Sequence, residues 1–161
     1  MLGGSISFSS TNFNSENYGA PHQYGDLKIN PNVGYFLIDR LSVGIKTSIE
    51  KSNIKEPGTS GQNRYTDFNL GPFLRYYLLN PDKNVNIFSE GLYQYGFEKG
   101  ERETISKNTF SISAGPVIYF NTVVGLELVV SYSTYKYPGR IGSNNTITIG
   151  IGLQVHLEKE E

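Results

Sequence analysis

Apolar and polar positions alternate with period two over most of this chain, and no stretch follows a helical period. Residues 27 to 37 put Leu27, Ile29, Val33, Tyr35 and Leu37 on one face and Lys28, Asn30, Asn32 and Gly34 on the other. Leu41, Val43, Ile45 and Ile49 alternate in the same way with Ser42, Gly44, Lys46, Ser48 and Glu50. Near the C-terminus, Ile147, Ile149, Ile151, Leu153, Val155 and Leu157 alternate with Thr148, Gly150, Gly152, Gln154 and His156. The pattern predicts eight strands, over residues 3–10, 25–37, 41–52, 64–79, 85–98, 107–120, 123–136 and 145–157.

The connections carry a second pattern. Those after the second, fourth and sixth strands are tight, built on Ile38-Asp39-Arg40, Asn80-Pro81-Asp82-Lys83-Asn84 and Asn121-Thr122. Those after the odd-numbered strands are longer and polar, for example Thr11 to Tyr24 and Asn53 to Asn63. This alternation predicts an up-and-down sheet with its short turns at one end and four longer loops at the other. Pro31-Asn32-Val33-Gly34-Tyr35-Phe36, Pro72-Phe73-Leu74-Arg75-Tyr76-Tyr77 and Pro116-Val117-Ile118-Tyr119-Phe120 recur about 40 residues apart, as a chain of four hairpins would require. Each proline removes a ladder hydrogen bond from a strand interior, so a local bulge or bend is expected at each.

Composition decides which face meets what. Charged residues are 18% of the 161, against roughly 25% in soluble domains. The polar faces are Ser, Gly, Thr and Asn with isolated charges, which make a poor solvated exterior but suit the interior of a narrow barrel. A soluble lipocalin-like barrel would have the faces reversed. Most of the strands reach the ~9–11 residues that cross a bilayer when tilted. Tyr35, Tyr76 and Phe120 fall near the short turns, and Tyr93, Tyr95, Phe97 and Tyr132 nearer the long loops, as two interfacial aromatic girdles would. A net charge of -1 with no basic run excludes a nucleic-acid footprint. The absence of cysteine excludes disulfides, thiolate nucleophiles and cysteine zinc sites. No apolar run is long enough for a membrane-spanning helix. The start lacks a secretory signal peptide, so one is expected to have been removed, with Met1 an initiator added to the mature fragment. Residues 1–157 are expected to form one barrel domain and 158–161 a charged tail.

The hairpin Gly34-Tyr35-Phe36-Leu37-Ile38-Asp39-Arg40-Leu41-Ser42-Val43-Gly44, the stretches Gly71-Pro72 and Gly115-Pro116, and the alternating final strand carry a resemblance. The chain resembles the eight-stranded bacterial outer-membrane β-barrel family, the OmpA-type transmembrane domain and its small relatives. The resemblance covers nearly the whole chain. It implies an all-β, antiparallel transmembrane barrel in the bacterial outer membrane, in contact with membrane lipid and placed there by the outer-membrane assembly machinery, as a monomer. Members commonly end in an aromatic residue, whereas this chain ends in Leu157-Glu158-Lys159-Glu160-Glu161, which reads as an acidic extension beyond the barrel.

With the polar faces inward, the interior charges are Lys28, Lys46 and Arg75 against Glu50, Asp67, Glu90, Glu98 and Glu127. Isolated charges in a narrow lumen are costly and should pair. A network of Lys46, Glu50, Asp67, Arg75, Glu90 and Glu127 is expected, with Arg75 on Glu90 or Glu127 and Lys46 on Glu50 or Glu127. The resemblance implies a salt-bridged interior of the same kind. Phe36, Phe73, Tyr77, Tyr119 and Tyr135 would fill the rest of the lumen, leaving no continuous pore. The two histidines are His22, in the first long loop, and His156, inward in the last strand. Neither belongs to a serine-histidine pattern, and their spacing suits no metal, so no catalytic residue, metal or cofactor is assigned. Pro57 to Gly61 and Lys99 to Glu103 read as solvated loops, and Asn144-Asn145-Thr146 matches a glycosylation acceptor that means little in a bacterial protein. The expected role is that of a non-enzymatic outer-membrane barrel with structural or surface contacts. The alternatives are a narrow channel or transporter for small solutes, a soluble ligand-binding barrel and a lipid-modifying enzyme.

Overall fold

The computed structural model describes residues 1–13, 22–55, 62–80, 83–100, 103–139 and 143–156. Eight antiparallel strands follow one another in chain order and close into a barrel. They are β1 (Leu2–Phe13), β2 (His22–Ile38), β3 (Leu41–Lys55), β4 (Gln62–Tyr77), β5 (Val85–Lys99), β6 (Thr104–Tyr119), β7 (Val124–Lys136) and β8 (Asn144–Val155). The described residues contain no helix long and apolar enough to cross a membrane, a statement that does not bear on strands.

Period two becomes inside and outside. Burial along β5 alternates strictly from Val85 to Leu92, with Ile87, Tyr93, Tyr95 and Phe97 outward and Phe88, Glu90, Leu92 and Gln94 inward. Apolar and aromatic side chains of the other strands are exposed as well, among them Ile29, Leu74, Ile112, Leu128 and Ile151. The buried set is mostly polar: Lys46, Ser48, Arg75, Glu90, Ser113, Glu127 and Gln154. This inversion of a soluble protein is what a lipid-facing barrel requires, because eight strands enclose only enough space for side chains.

Strand ends differ from the expected ones at the loop end. The β1–β2 ladder runs to Phe13↔His22 and the β3–β4 ladder to Lys55↔Gln62. Thr11 to Phe13, His22 to Tyr24 and Asn53 to Lys55 therefore lie in strands, and His22 opens β2 where a loop position was expected. The reason is that hairpins continue while backbone groups find partners, even where both faces are polar and period two fades. The strict length alternation of the connections does not hold as a result. At the loop end they span 14–21, 56–61, 100–103 and 137–143, and at the turn end 39–40, 78–84 and 120–123. Pro57 to Gly61, Glu101, Arg102 and the tail from Leu157 lie outside the described residues.

The prolines also behave differently from expectation. Pairing of β2 with β3 passes from Ile29↔Ile49 to Asn32↔Lys46, skipping Pro31 with no change of register. The β4–β5 ladder skips Gly71 and Pro72, and the β6–β7 ladder skips Gly115 and Pro116, again in constant register. The register shift of β2 lies elsewhere, between Phe36 and Ile38. Each proline points its missing N–H at the following strand and leaves a gap in one ladder where a bulge was expected.

Candidate functional site in the barrel lumen

Arg75 on β4 reaches across the lumen to carboxylates from two other strands. Its Nε donates to Glu90 Oε2 at 2.9 Å, its Nη2 lies 2.8 Å from the same oxygen, and its Nη1 donates to Glu127 Oε1 at 2.5 Å. Lys46 of β3 donates to the other Glu90 oxygen. Two cations and two carboxylates thus form a neutral quartet, in which Arg75 and Glu90 are each only 2% exposed. Such burial is tolerable only because every charge meets an opposite one with good geometry. Gln154 closes the group from β8: with its amide turned to match its neighbours, it donates to Glu127 at 2.8 Å and accepts from Arg75 at 3.1 Å. Aromatic faces finish the enclosure, with Phe88 4.3 Å from the guanidinium and Phe73 5.4 Å from the Lys46 ammonium.

The expected partners of Arg75 are therefore both present. Lys46 meets neither Glu50 nor Glu127 and instead shares Glu90 with Arg75. Glu50 faces Lys28 at 3.5 Å. Asp67 is held by Lys107 at 2.5 Å. Lys107 is absent from the expected set although it opens the strand expected over 107–120, which the structure extends back to Thr104. The inward phase of Thr109, Ser111 and Ser113 would have found it. The same phase argument places Phe88, Leu92 and Val117 inside, where they pack with Phe73 and Tyr77; Phe36 and Tyr119 join as partly buried neighbours. Tyr135 lies at the loop end, its ring 5.1 Å from the Lys107 ammonium.

Spaces of different sizes surround these side chains among the described residues. A vestibule of about 600 Å³ at the turn end is lined by Phe36, Tyr77, Tyr119 and His156 among others. A space of about 40 Å³ above the quartet is lined largely by serines, including Ser48, Ser111 and Ser131. A second vestibule, of about 390 Å³, opens at the loop end among Asp26, Glu50, Asp67, Glu98 and Tyr137. The last two share Ser7, Lys28, Gln94, Ser133 and Thr148, whereas neither shares a lining residue with the turn-end vestibule.

His156 lies just past β8 with its ring 5.1 Å from Phe36 and 5.4 Å from Tyr119. Burial, then the Met1 ammonium and Arg75, push its pKa down to about 4, so the imidazole is neutral at pH 7. No carboxylate orients it and no serine hydroxyl bonds to it among the described residues. The side chain of His22 lies outside the described residues. Among the described residues, no group of three potential ligands is arranged to hold a metal ion.

On the outer surface, Tyr35, Tyr76 and Phe120 are exposed near the turn end, and Tyr93, Tyr95, Phe97 and Tyr132 are exposed on the loop-end half. Phe8, Phe68 and Phe110 share that outward phase and were absent from the expected set. Phe68 stacks on Phe97 at 5.6 Å.

A closed, all-antiparallel eight-stranded barrel with an apolar exterior and an ion-paired lumen decides the architecture. This is the fold of the eight-stranded outer-membrane β-barrels. The chain superposes on Neisserial surface protein A with a TM-score of 0.57 at 11% identity, over 96% of this chain and 92% of that one. It superposes on the outer-membrane enzyme PagL with a TM-score of 0.54 at 9% identity, over 96% and 99%. No protein-family profile matches the sequence, and no curated protein does. At these identities the likeness is one of fold, and the fold is shared by at least one enzyme.

Proposed function

We propose that this protein is a non-enzymatic, monomeric outer-membrane barrel whose role is structural or lies in contacts made by its loop end. The observation that carries this reading is the neutral quartet of Arg75, Lys46, Glu90 and Glu127, which fills the lumen between two separate vestibules. Side chains that neutralise one another in the middle of a narrow barrel supply stability and register, and they leave no path for a solute. The surroundings of His156 support the non-enzymatic part: a general base needs a nucleophile within hydrogen-bond reach, and this ring has aromatic neighbours instead. In this reading the exposed tyrosines sit at the two membrane interfaces, and the assembly machinery inserts the barrel.

A channel is the second reading, favoured by the open spaces on both sides of the quartet. Planar-bilayer recording of the refolded protein separates the two. The expected result is an unheated gel mobility distinct from the heated one, showing insertion, with no conductance steps from the wild type. Regular conductance steps that vanish on Ser111→Phe would overturn the closed-lumen reading in favour of a channel.

A further inference from the structure

Charge around the barrel wall is segregated by sign. Among the strand residues whose side chains the structure describes, the outward phase carries three charged groups, Lys51 on β3, Lys99 on β5 and Lys136 on β7, all exposed and all cations at the loop end. The carboxylates of that end, Asp26, Glu50, Asp67 and Glu98, line the loop-end vestibule and belong to the inner face. Toward the turn end the outward phase is uncharged, as in Val33, Tyr35 and Leu37 of β2 and Leu74 and Tyr76 of β4. The ion pairs among the described residues use Lys28, Lys46, Arg75 and Lys107, all inward, and leave the three outer lysines without an acidic partner there.

Register brings the three lysines to one band. Lys51 pairs with Thr66 and Thr66 with Lys99, so these two flank β4 on one row, with Cα atoms about 10 Å apart at two strand spacings. Rows climb toward the loop end in passing from β2 to β8: one starts at Gly34, near the turn end, and runs through Gly44, Phe73, Leu92, Ser111 and Ser133 to Thr146, near the loop end. Lys136 stands on the row of Asn108 and Tyr95, and that climb raises it toward the level of Lys99. The band lies on the loop side of the exposed rings of Tyr95, Phe97 and Tyr132. A lysine so placed lays its stem along the apolar wall and lifts its ammonium into the head-group layer. What meets the wall at that depth is a lipid head group, and an ammonium with three donors and no carboxylate of its own suits phosphate oxygens.

We propose that the loop-end rim of the outer wall binds the phosphate head groups of anionic lipids through Lys51, Lys99 and Lys136. Lys51 and Lys99 hold a phosphate between them across β4, where the exposed Thr66 adds a hydroxyl donor, and Lys136 holds a neighbouring one two strands on. The lipid tails lie on Tyr95, Phe97 and Tyr132. The proposal goes beyond the closed-lumen role and rests on it only for membrane insertion.

The test is tryptophan quenching in vesicles of zwitterionic phosphatidylcholine into which brominated phosphatidic acid or brominated phosphatidylcholine is mixed. The chain has no tryptophan, so Phe97→Trp reports on the lysine rim and Tyr76→Trp on the uncharged turn end. Heat-modifiable gel mobility is read first on every variant, so failure of the membrane reading shows as failure to insert, whereas failure of this proposal shows in an inserted barrel. A lysine near an anionic surface contributes about fivefold in binding. Phosphatidic acid is therefore expected to bind at Phe97→Trp at least fivefold more tightly than phosphatidylcholine, and at Tyr76→Trp less than twofold more tightly. Lys51→Gln, Lys99→Gln and Lys136→Gln together are expected to bring the first ratio below twofold. A ratio below two at Phe97→Trp with the lysines intact, an equal preference at both tryptophans, or a ratio unchanged by the triple replacement would overturn the proposal.

Discussion

Arg75 donates to Glu90 and Glu127 at once, under the ring of Phe88 and beside the Gln154 amide. Removing it leaves two carboxylates facing one another, with Lys46 as the remaining cation of the quartet. Arg75→Ala is expected to cost about 3–5 kcal/mol, the usual penalty for orphaning a buried charge. The double change Arg75→Met, Glu127→Gln, which leaves Lys46 paired with Glu90, is expected to recover most of the loss. Urea unfolding in lipid vesicles, followed by gel mobility, measures both, and equal stabilities of Arg75→Ala and wild type would show that the quartet does not hold the fold. That Arg75 would meet a glutamate was legible in the sequence, since inward phase and charge sign together leave few choices. The sharing of Glu90 with Lys46 was not legible, because it depends on which strands face one another across the lumen.

Each Gly-Pro pair in β4 and β6 joins an inward glycine to an outward proline at a gap in the ladder. At Gly115 a Cβ would stand 1.7 Å from the Leu128 carbonyl oxygen, and at Gly71 it would stand 1.8 Å from that of Tyr93. The neighbouring backbone occupies the place of a side chain, so only glycine fits. At Gly91 a Cβ would meet nothing within 4 Å. Gly115→Ala and Gly71→Ala are expected to slow refolding and lower stability by about 2 kcal/mol or more, whereas Gly91→Ala is expected to stay within about 0.5 kcal/mol of wild type. The same urea titration checks this, and three indistinguishable midpoints would refute the close approach. Strand identity was readable from period two, and the repeated prolines marked equivalent places. Whether proline causes a bulge or only a gap depends on the neighbouring strand, which no single segment specifies.

The whole barrel separates two solvents by a wall one residue thick, and the absence of tryptophan from the chain makes that wall easy to probe. A single tryptophan introduced as Leu128→Trp is expected to lose most of its fluorescence to lipids brominated in mid-chain. The adjacent Val129→Trp, on the inward face, is expected to lose little. Equal quenching of the two would contradict the assignment of faces. Inversion of the soluble pattern, with leucine outside and arginine inside, follows from having lipid as the outer solvent and only side-chain room within.

Alternation with period two is a property of one strand's own residues, so the strands, their shared faces and the inward charges can be read along the chain. Which charge meets which, as with Lys107 on Asp67 and Lys46 on Glu90, is set by strand tilt and stagger around a closed sheet. Those quantities arise only when β1 returns to β8. The length of the β1–β8 seam belongs to the same class, because the first and last strands meet across the entire chain and local pattern says nothing of how far they pair.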